Sequence, residues 1–142
     1  METVLHDAVL ALHFLGLFMG GASGIGLPVI GARIGAAPPE HRQTLAGVAR
    51  ALKRIGQMGV AILLVTGFVL ATMGGAWGTA SVWFWIKLLA VAVLIGGIIL
   101  ADRIGPKAMA GDMGAAATIR LIGKSNLTAL AVIVFAASFA FH

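Results

Sequence analysis

Four apolar segments alternate with connections whose positive charge is one-sided, and this pattern limits the possible folds more than any other feature of the chain. The segments run from about residue 4 to 30, 55 to 73, 82 to 101 and 121 to 141. About 20 residues at 1.5 Å each cross a hydrocarbon core of ~30 Å. Connection 31–54 carries Arg33, Arg42, Arg50, Lys53 and Arg54. Connection 102–120 carries Arg103, Lys107 and Arg120, and Lys124 follows just beyond it. The middle connection, Gly74 to Ser81, has no charge. Nine of the ten basic residues thus fall on one side of a four-pass chain. The positive-inside bias makes that side cytoplasmic and puts both termini outside. The expected fold is an all-α, integral membrane four-helix bundle forming one transmembrane domain over residues 1–142.

Composition argues the same way. The chain is 60% hydrophobic and 11% charged, with a mean hydropathy of +1.03. Soluble domains carry about 25% charged residues, and a small soluble fold could not hide this much apolar surface. The net charge of +5 sits beside apolar segments as a topology signal, so no nucleic-acid partner is expected. The lipid bilayer is the expected environment. There is no cysteine, which excludes disulfides, thiol redox chemistry and Cys-based metal sites. Met1-Glu2-Thr3 lacks the basic start of a secretory signal, so no cleaved leader is expected.

Local signals mark the ends of the segments. Pro39 suits a first helical position, and Glu40 suits the positive end of a helix. The stretch His41 to Lys53 is expected to extend the second helix below the membrane. Met73 to Gly78 reads as a short outer turn, with Trp77, Trp83 and Trp85 around it at headgroup level. Pro106 and Gly111 to Gly114 are expected to break the chain between the third and fourth helices.

On the first helix, His6, His13, Gly16, Gly20 and Gly24 fall in one stripe at about 100° per residue. Gly16, Gly20 and Gly24 are expected to form a smooth helix-packing face, because small residues let backbones approach closely in lipid. Such faces also suit a homo-oligomer or a partner in a membrane complex.

Few groups within the segments can ionise. Lys87, one turn from Trp83, is the clearest. An intramembrane lysine costs about 3 kcal/mol at a helix centre and less near an interface. It either snorkels to the outer surface or serves as a catalytic or pairing group. His13 is deeper, and is either a hydrogen-bonded packing residue or a ligand. His6 lies two turns above it, and His142 is expected on the same side. His6 and His13 are about 10 Å apart along a helix, too far to chelate one ion together. A haem needs only one or two axial ligands, so His13 is the candidate metal ligand. His6 is a secondary cofactor-binding candidate, and Met58 or Met73 could fill a second axial position. Gln57, Thr66, Ser125, Asn126, Thr128 and Ser138 read as interhelical hydrogen-bonding groups. Lys124, Thr128, Ala131, Phe135 and Ser138 form one stripe of the fourth helix.

The chain also suggests a duplicated helical hairpin. Ala32-Arg33-Ile34-Gly35 is echoed by Asp102-Arg103-Ile104-Gly105, and Gly26 by Gly96, all 70 positions apart. Arg54-Ile55-Gly56 resembles Leu121-Ile122-Gly123. An ordinary basic helix exit with a C-cap glycine would give a similar match.

Three pieces resemble the CopD/HemJ-type group of small bacterial membrane proteins. They are His13 followed by Gly20-Gly21, Leu64-Val65-Thr66-Gly67, and Trp85-Ile86-Lys87-Leu88-Leu89. After the first helix the chain reads Leu27-Pro28-Val29, without the arginine that follows this proline in HemJ. The resemblance implies a multi-pass protein of the bacterial cytoplasmic (inner) membrane. Its HemJ branch implies a haem b protein acting as protoporphyrinogen oxidase, with essential roles on His13 and Lys87; its CopD branch implies copper handling. The leading expectation is a haem- or porphyrin-associated redox protein, with Lys87 pairing an acidic group such as a propionate. The alternatives are a small-molecule or ion permeation module, and a non-catalytic subunit of a membrane complex.

Overall fold

A computed structural model describes residues 2–75, 77 and 81–139 of the chain, without the side chains of 2, 109 and 137–139. It is all-α. The helices are α1 (Glu2–Ala36), α2 (Pro39–Met73), α3 (Val82–Met109) and α4 (Met113–Phe139). All four are long and apolar enough to cross a membrane, and the chain is a multi-pass membrane protein. Its helices carry their large apolar side chains outward. Phe18 is 74% exposed, Val82 73% and Leu89 68%. Such surfaces are costly in water and are the normal lipid-facing condition.

The helices run well past the apolar segments. Connection 31–54 shrinks to a corner at Ala37 and Pro38, because Pro39 opens α2 and Glu40 sits in its first turn. The Arg42 guanidinium donates through Nε to the Ala37 carbonyl at 2.9 Å, tying the corner down. The stretch His41 to Lys53 extends α2, as expected. Connection 102–120 differs from expectation. Pro106 lies inside α3, and α4 starts at Met113. A proline inside a helix removes one intrahelical hydrogen bond and crowds the preceding turn, at a cost of ~3 kcal/mol, and here the helix continues past it to Met109. The break comes at Gly111, the other position expected, whose φ of +97° is a conformation that glycine adopts without steric cost.

The chain divides into two compact units, Met1–Thr79 and Ala80–His142. Each is an antiparallel helical hairpin, α1 against α2 and α3 against α4. The seams are built from small residues. The buried positions include Gly56, Gly59, Thr66 and Ala71 on α2, Ser23 on α1, Ala90 on α3, and Ile122, Ala129 and Ala136 on α4. Close van der Waals contact, rather than burial of large side chains, therefore holds each pair together. In the first hairpin a Cβ on Gly59 would stand 2.8 Å from both the Gly16 carbonyl oxygen and the Gly20 nitrogen. Gly16 and Gly59 cannot be replaced without moving backbone.

The contacts fix the register of each hairpin. Ser23 packs against Gly56, and Gly97 packs against Asn126. Aligning these two contacts shifts the first helices by 74 positions (Ser23 to Gly97) and the second helices by 70 (Gly56 to Asn126). Buried residues then coincide: Gly16 with Ala90, Gly59 with Ala129, and Thr66 with Ala136. Basic residues coincide too: Arg33 with Lys107, Arg50 with Arg120, and Arg54 with Lys124. The packing register thus differs from the sequence echoes. Pairing Arg33 with Arg103 is one helical turn out, and pairing Arg54-Ile55-Gly56 with Leu121-Ile122-Gly123 is three positions out. Seam packing sets which residues are equivalent, whereas the Arg-Ile-Gly echo follows helix exits.

Candidate functional site

The best-defined polar arrangement within the apolar region is at the end of the first hairpin away from its basic residues. His13 is half-buried on α1, and Thr66 is buried on α2. The seam brings them together although 53 residues separate them, with His13 Nδ1 2.9 Å from Thr66 Oγ1. Thr66 Oγ1 also lies 2.6 Å from the carbonyl oxygen of Ile62, one turn back on its own helix. A hydroxyl has one hydrogen. At 2.6 Å that hydrogen must lie between the two oxygens, so Thr66 donates to Ile62. Its oxygen can then only accept from His13. Nδ1 of His13 therefore carries a proton, and when the ring is neutral Nε2 carries the in-plane lone pair. Fixing the tautomer through the far nitrogen is how proteins orient an imidazole for metal ligation.

Gly67 completes the seat. A Cβ there would come within 3.3 Å of His13 Cε1, so the bare glycine gives the ring room to lie against α2. Threonine and glycine are adjacent in Leu64-Val65-Thr66-Gly67. One residue supplies the hydrogen-bond acceptor and the next supplies the space.

The other residues singled out in the sequence are distributed as follows. Gly16 is buried against Gly59. Gly20 contributes its backbone nitrogen to the same contact, but a Cβ on it would meet nothing within 4 Å. Gly24 is exposed. The contact line of α1 therefore runs through His13, Gly16 and Ser23, rather than straight down the glycine stripe. Ser23 donates from its hydroxyl to the Leu52 carbonyl. His6 and Asp7 are exposed on α1. Met58 and Met73 are exposed, at 59% and 41%. His142 lies outside the described residues. Lys87 is half-buried on α3, in the second hairpin. Its place in the packing register is that of His13, level with Ala136, which is 1% exposed.

Thr128 bonds within its own helix, to the Lys124 carbonyl at 3.1 Å, and not across to a neighbour. Asn126 does face another helix, against Gly97, but its buried Oδ1 has no hydrogen-bond partner among the described residues. Thr66 is the residue of this arrangement whose part the sequence understates. Its signal was the seven-residue spacing shared by Gly59 and Thr66 on one face of α2.

Among the described residues no group of three or more His, Cys, Asp or Glu side chains could hold a metal ion. A bare zinc or copper ion, which needs three or four such donors, has no site there. Comparison with protein-family models, with curated proteins and with solved structures finds no match.

Proposed function

We propose that this membrane protein binds haem b through His13 Nε2 and acts in redox chemistry. The observation behind this reading is the hydrogen-bond chain His13–Thr66–Ile62, which puts the proton on Nδ1. An imidazole so held is a ready axial ligand, and its orientation is fixed by two helices rather than by a loop. A single well-held histidine is too few donors for a bare ion, but it is enough for haem, whose iron already has four nitrogen ligands from its own ring. Haem, when bound, supplies one-electron chemistry. This chain's part is to present Nε2, to keep the ring from rotating through Thr66 and Gly67, and to surround the site with apolar side chains.

The test is an absorbance titration of haem into detergent-purified protein. A Soret band saturating at one haem per chain is expected. His13→Ala should abolish it, with partial recovery on adding imidazole. Thr66→Val keeps the side chain's shape but removes the acceptor, and should weaken binding by about tenfold, the low end of losses from outer-shell partners. The reading fails if no band forms, or if His13→Ala binds haem as the unaltered chain does.

A further inference from the structure

The second hairpin has a groove where the first has its histidine seat. It holds about 380 Å³ and is lined almost entirely by apolar atoms, with Trp83 and Ile86 on α3 and Thr128, Ala131 and Phe135 on α4 among its walls. Ala131 and Phe135 are exposed. From Thr128 to Phe135 the α4 wall extends two turns, about 10 Å. The fourth-helix stripe of Thr128, Ala131 and Phe135 thus lines a slot that Trp83 and Ile86 of α3 also line.

Lys87 follows Ile86 directly, one turn from Trp83. It is half-buried, and no partner is bonded to its ammonium among the described residues. The side-chain carboxylates of this hairpin are Asp102 and Asp112. Along the helix axis Asp102 is about 22 Å from Lys87, at the opposite, basic end. A cation held in a region of low dielectric needs a counter-anion, and among the described residues this hairpin provides none at that level. The missing partner must be negative at one end and apolar along two helical turns.

We propose that this groove binds an anionic phospholipid, with its headgroup phosphate on Lys87 and one acyl chain between Ile86 and the α4 wall. Trp83 is part of the groove wall, and an indole ring suits the headgroup level. A zwitterionic lipid has the same chain and phosphate but brings its own cation, which Lys87 repels; selection is therefore by net charge. The proposal is independent of haem binding by the first hairpin.

Competitive fluorescence quenching by lipids with brominated acyl chains tests it. The protein carries Trp77→Phe and Trp85→Phe, leaving Trp83 as the only indole. Brominated phosphatidylglycerol is expected to quench Trp83 with about a fivefold preference over brominated phosphatidylcholine, which is what one lysine near an anionic surface contributes. Lys87→Met keeps most of the stem without the charge and should bring the preference to about one. Lys87→Arg should restore it, which also guards against a merely misfolded variant. Ala131→Phe fills the groove and should reduce quenching by both lipids. Equal quenching by the two lipids in the parent protein would overturn the proposal, as would an unchanged preference in Lys87→Met or undiminished quenching in Ala131→Phe. So would displacement of brominated phosphatidylglycerol by oleate at equal concentration, which would make the ligand a free carboxylate. No quenching by either lipid would mean that protein covers the groove, and would overturn the proposal equally.

Discussion

The two hairpins share a packing register and differ in what they place on it. Both cross through small residues, and both carry arginine or lysine at matching positions of one end, Arg50 and Arg54 in the first, Arg120 and Lys124 in the second. At the other end they diverge. The first hairpin sets His13 against Thr66 with a hydrogen bond. The second sets Lys87 level with Ala136, which has no polar group to offer, and leaves a groove beside it. The middle of the seam is also inverted. In the first hairpin the polar side chain is Ser23 on the leading helix and the glycine is Gly56 on the returning one. In the second the glycine is Gly97 on the leading helix and the polar side chain is Asn126 on the returning one. One backbone arrangement thus supports a satisfied, oriented polar pair in one hairpin and, in the other, polar groups without a partner among the described residues. The lesson is that packing register, set by glycine and alanine, is separable from the chemistry placed upon it.

The largest effect expected from breaking this parallel is at the crossing itself. Gly59→Leu would drive a side chain into the backbone of Gly16 and Gly20, and should prevent the first hairpin from closing. Size-exclusion profiles and thermal unfolding in detergent should show loss of folded protein. The matching change, Ala129→Leu, starts from a position that already holds a methyl group, and should cost only about 1–3 kcal/mol, as overpacking does. Gly20→Leu should be tolerated, because open space lies where its Cβ would go. Equal losses at Gly20 and Gly59 would show that the glycine stripe, and not the observed contact line, forms the seam.

A second contrast concerns ligand binding. His13→Ala should remove haem binding, while Lys87→Met should leave the Soret band intact, since the two occupy equivalent places but have different roles. Loss of the band in both would join the two hairpins in one site and remove the distinction drawn between them.

The smallest contrast reverses sign. Ser23→Ala loses the hydroxyl donation to the Leu52 carbonyl and should destabilise by about 0.6 kcal/mol, an average value for a hydrogen bond within a membrane protein. Asn126→Ala removes a buried acceptor that has no partner among the described residues. It should be neutral or stabilising, because leaving a buried polar group unsatisfied costs about 1–3 kcal/mol. Unfolding midpoints of the two variants measure the sign directly. A clear loss at Asn126 would mean that its amide is bonded in the membrane.

Much of this architecture could be read from the residues. Long apolar runs and the placement of nine basic residues give four membrane helices, because in lipid every backbone group must be satisfied within its own helix. Pro39 and Glu40 marked the start of α2 for the same local reasons that the structure shows. Pro106 does not stop α3, which runs on to Met109, whereas Gly111 does mark the break, because a positive φ is a local property of glycine. The site was half legible. His13 stood out as a titratable group in an apolar helix, but its partner did not. Thr66 is one of several hydroxyl residues in the segments, and only the antiparallel register of α1 and α2 selects it. That register depends on how closely Gly16 and Gly59 approach, which is a tertiary quantity absent from either segment alone. The same reason explains why the Arg-Ile-Gly echo pairs residues one turn away from the packing register. Helix-exit motifs are local, and seam contacts are not.

The account depends most on which nitrogen of His13 carries the proton. Solid-state NMR of the protein in lipid bilayers, with histidine side chains labelled in 15N, reads this for each ring, and a His13→Gln sample identifies the signals that belong to His13. The hydrogen bond to Thr66 predicts a protonated, pyrrole-type Nδ1 and a pyridine-type Nε2 without cofactor, with the Nε2 signal alone lost or strongly shifted when haem is added. A pyridine-type Nδ1, or an Nε2 signal unmoved by haem, would contradict the account.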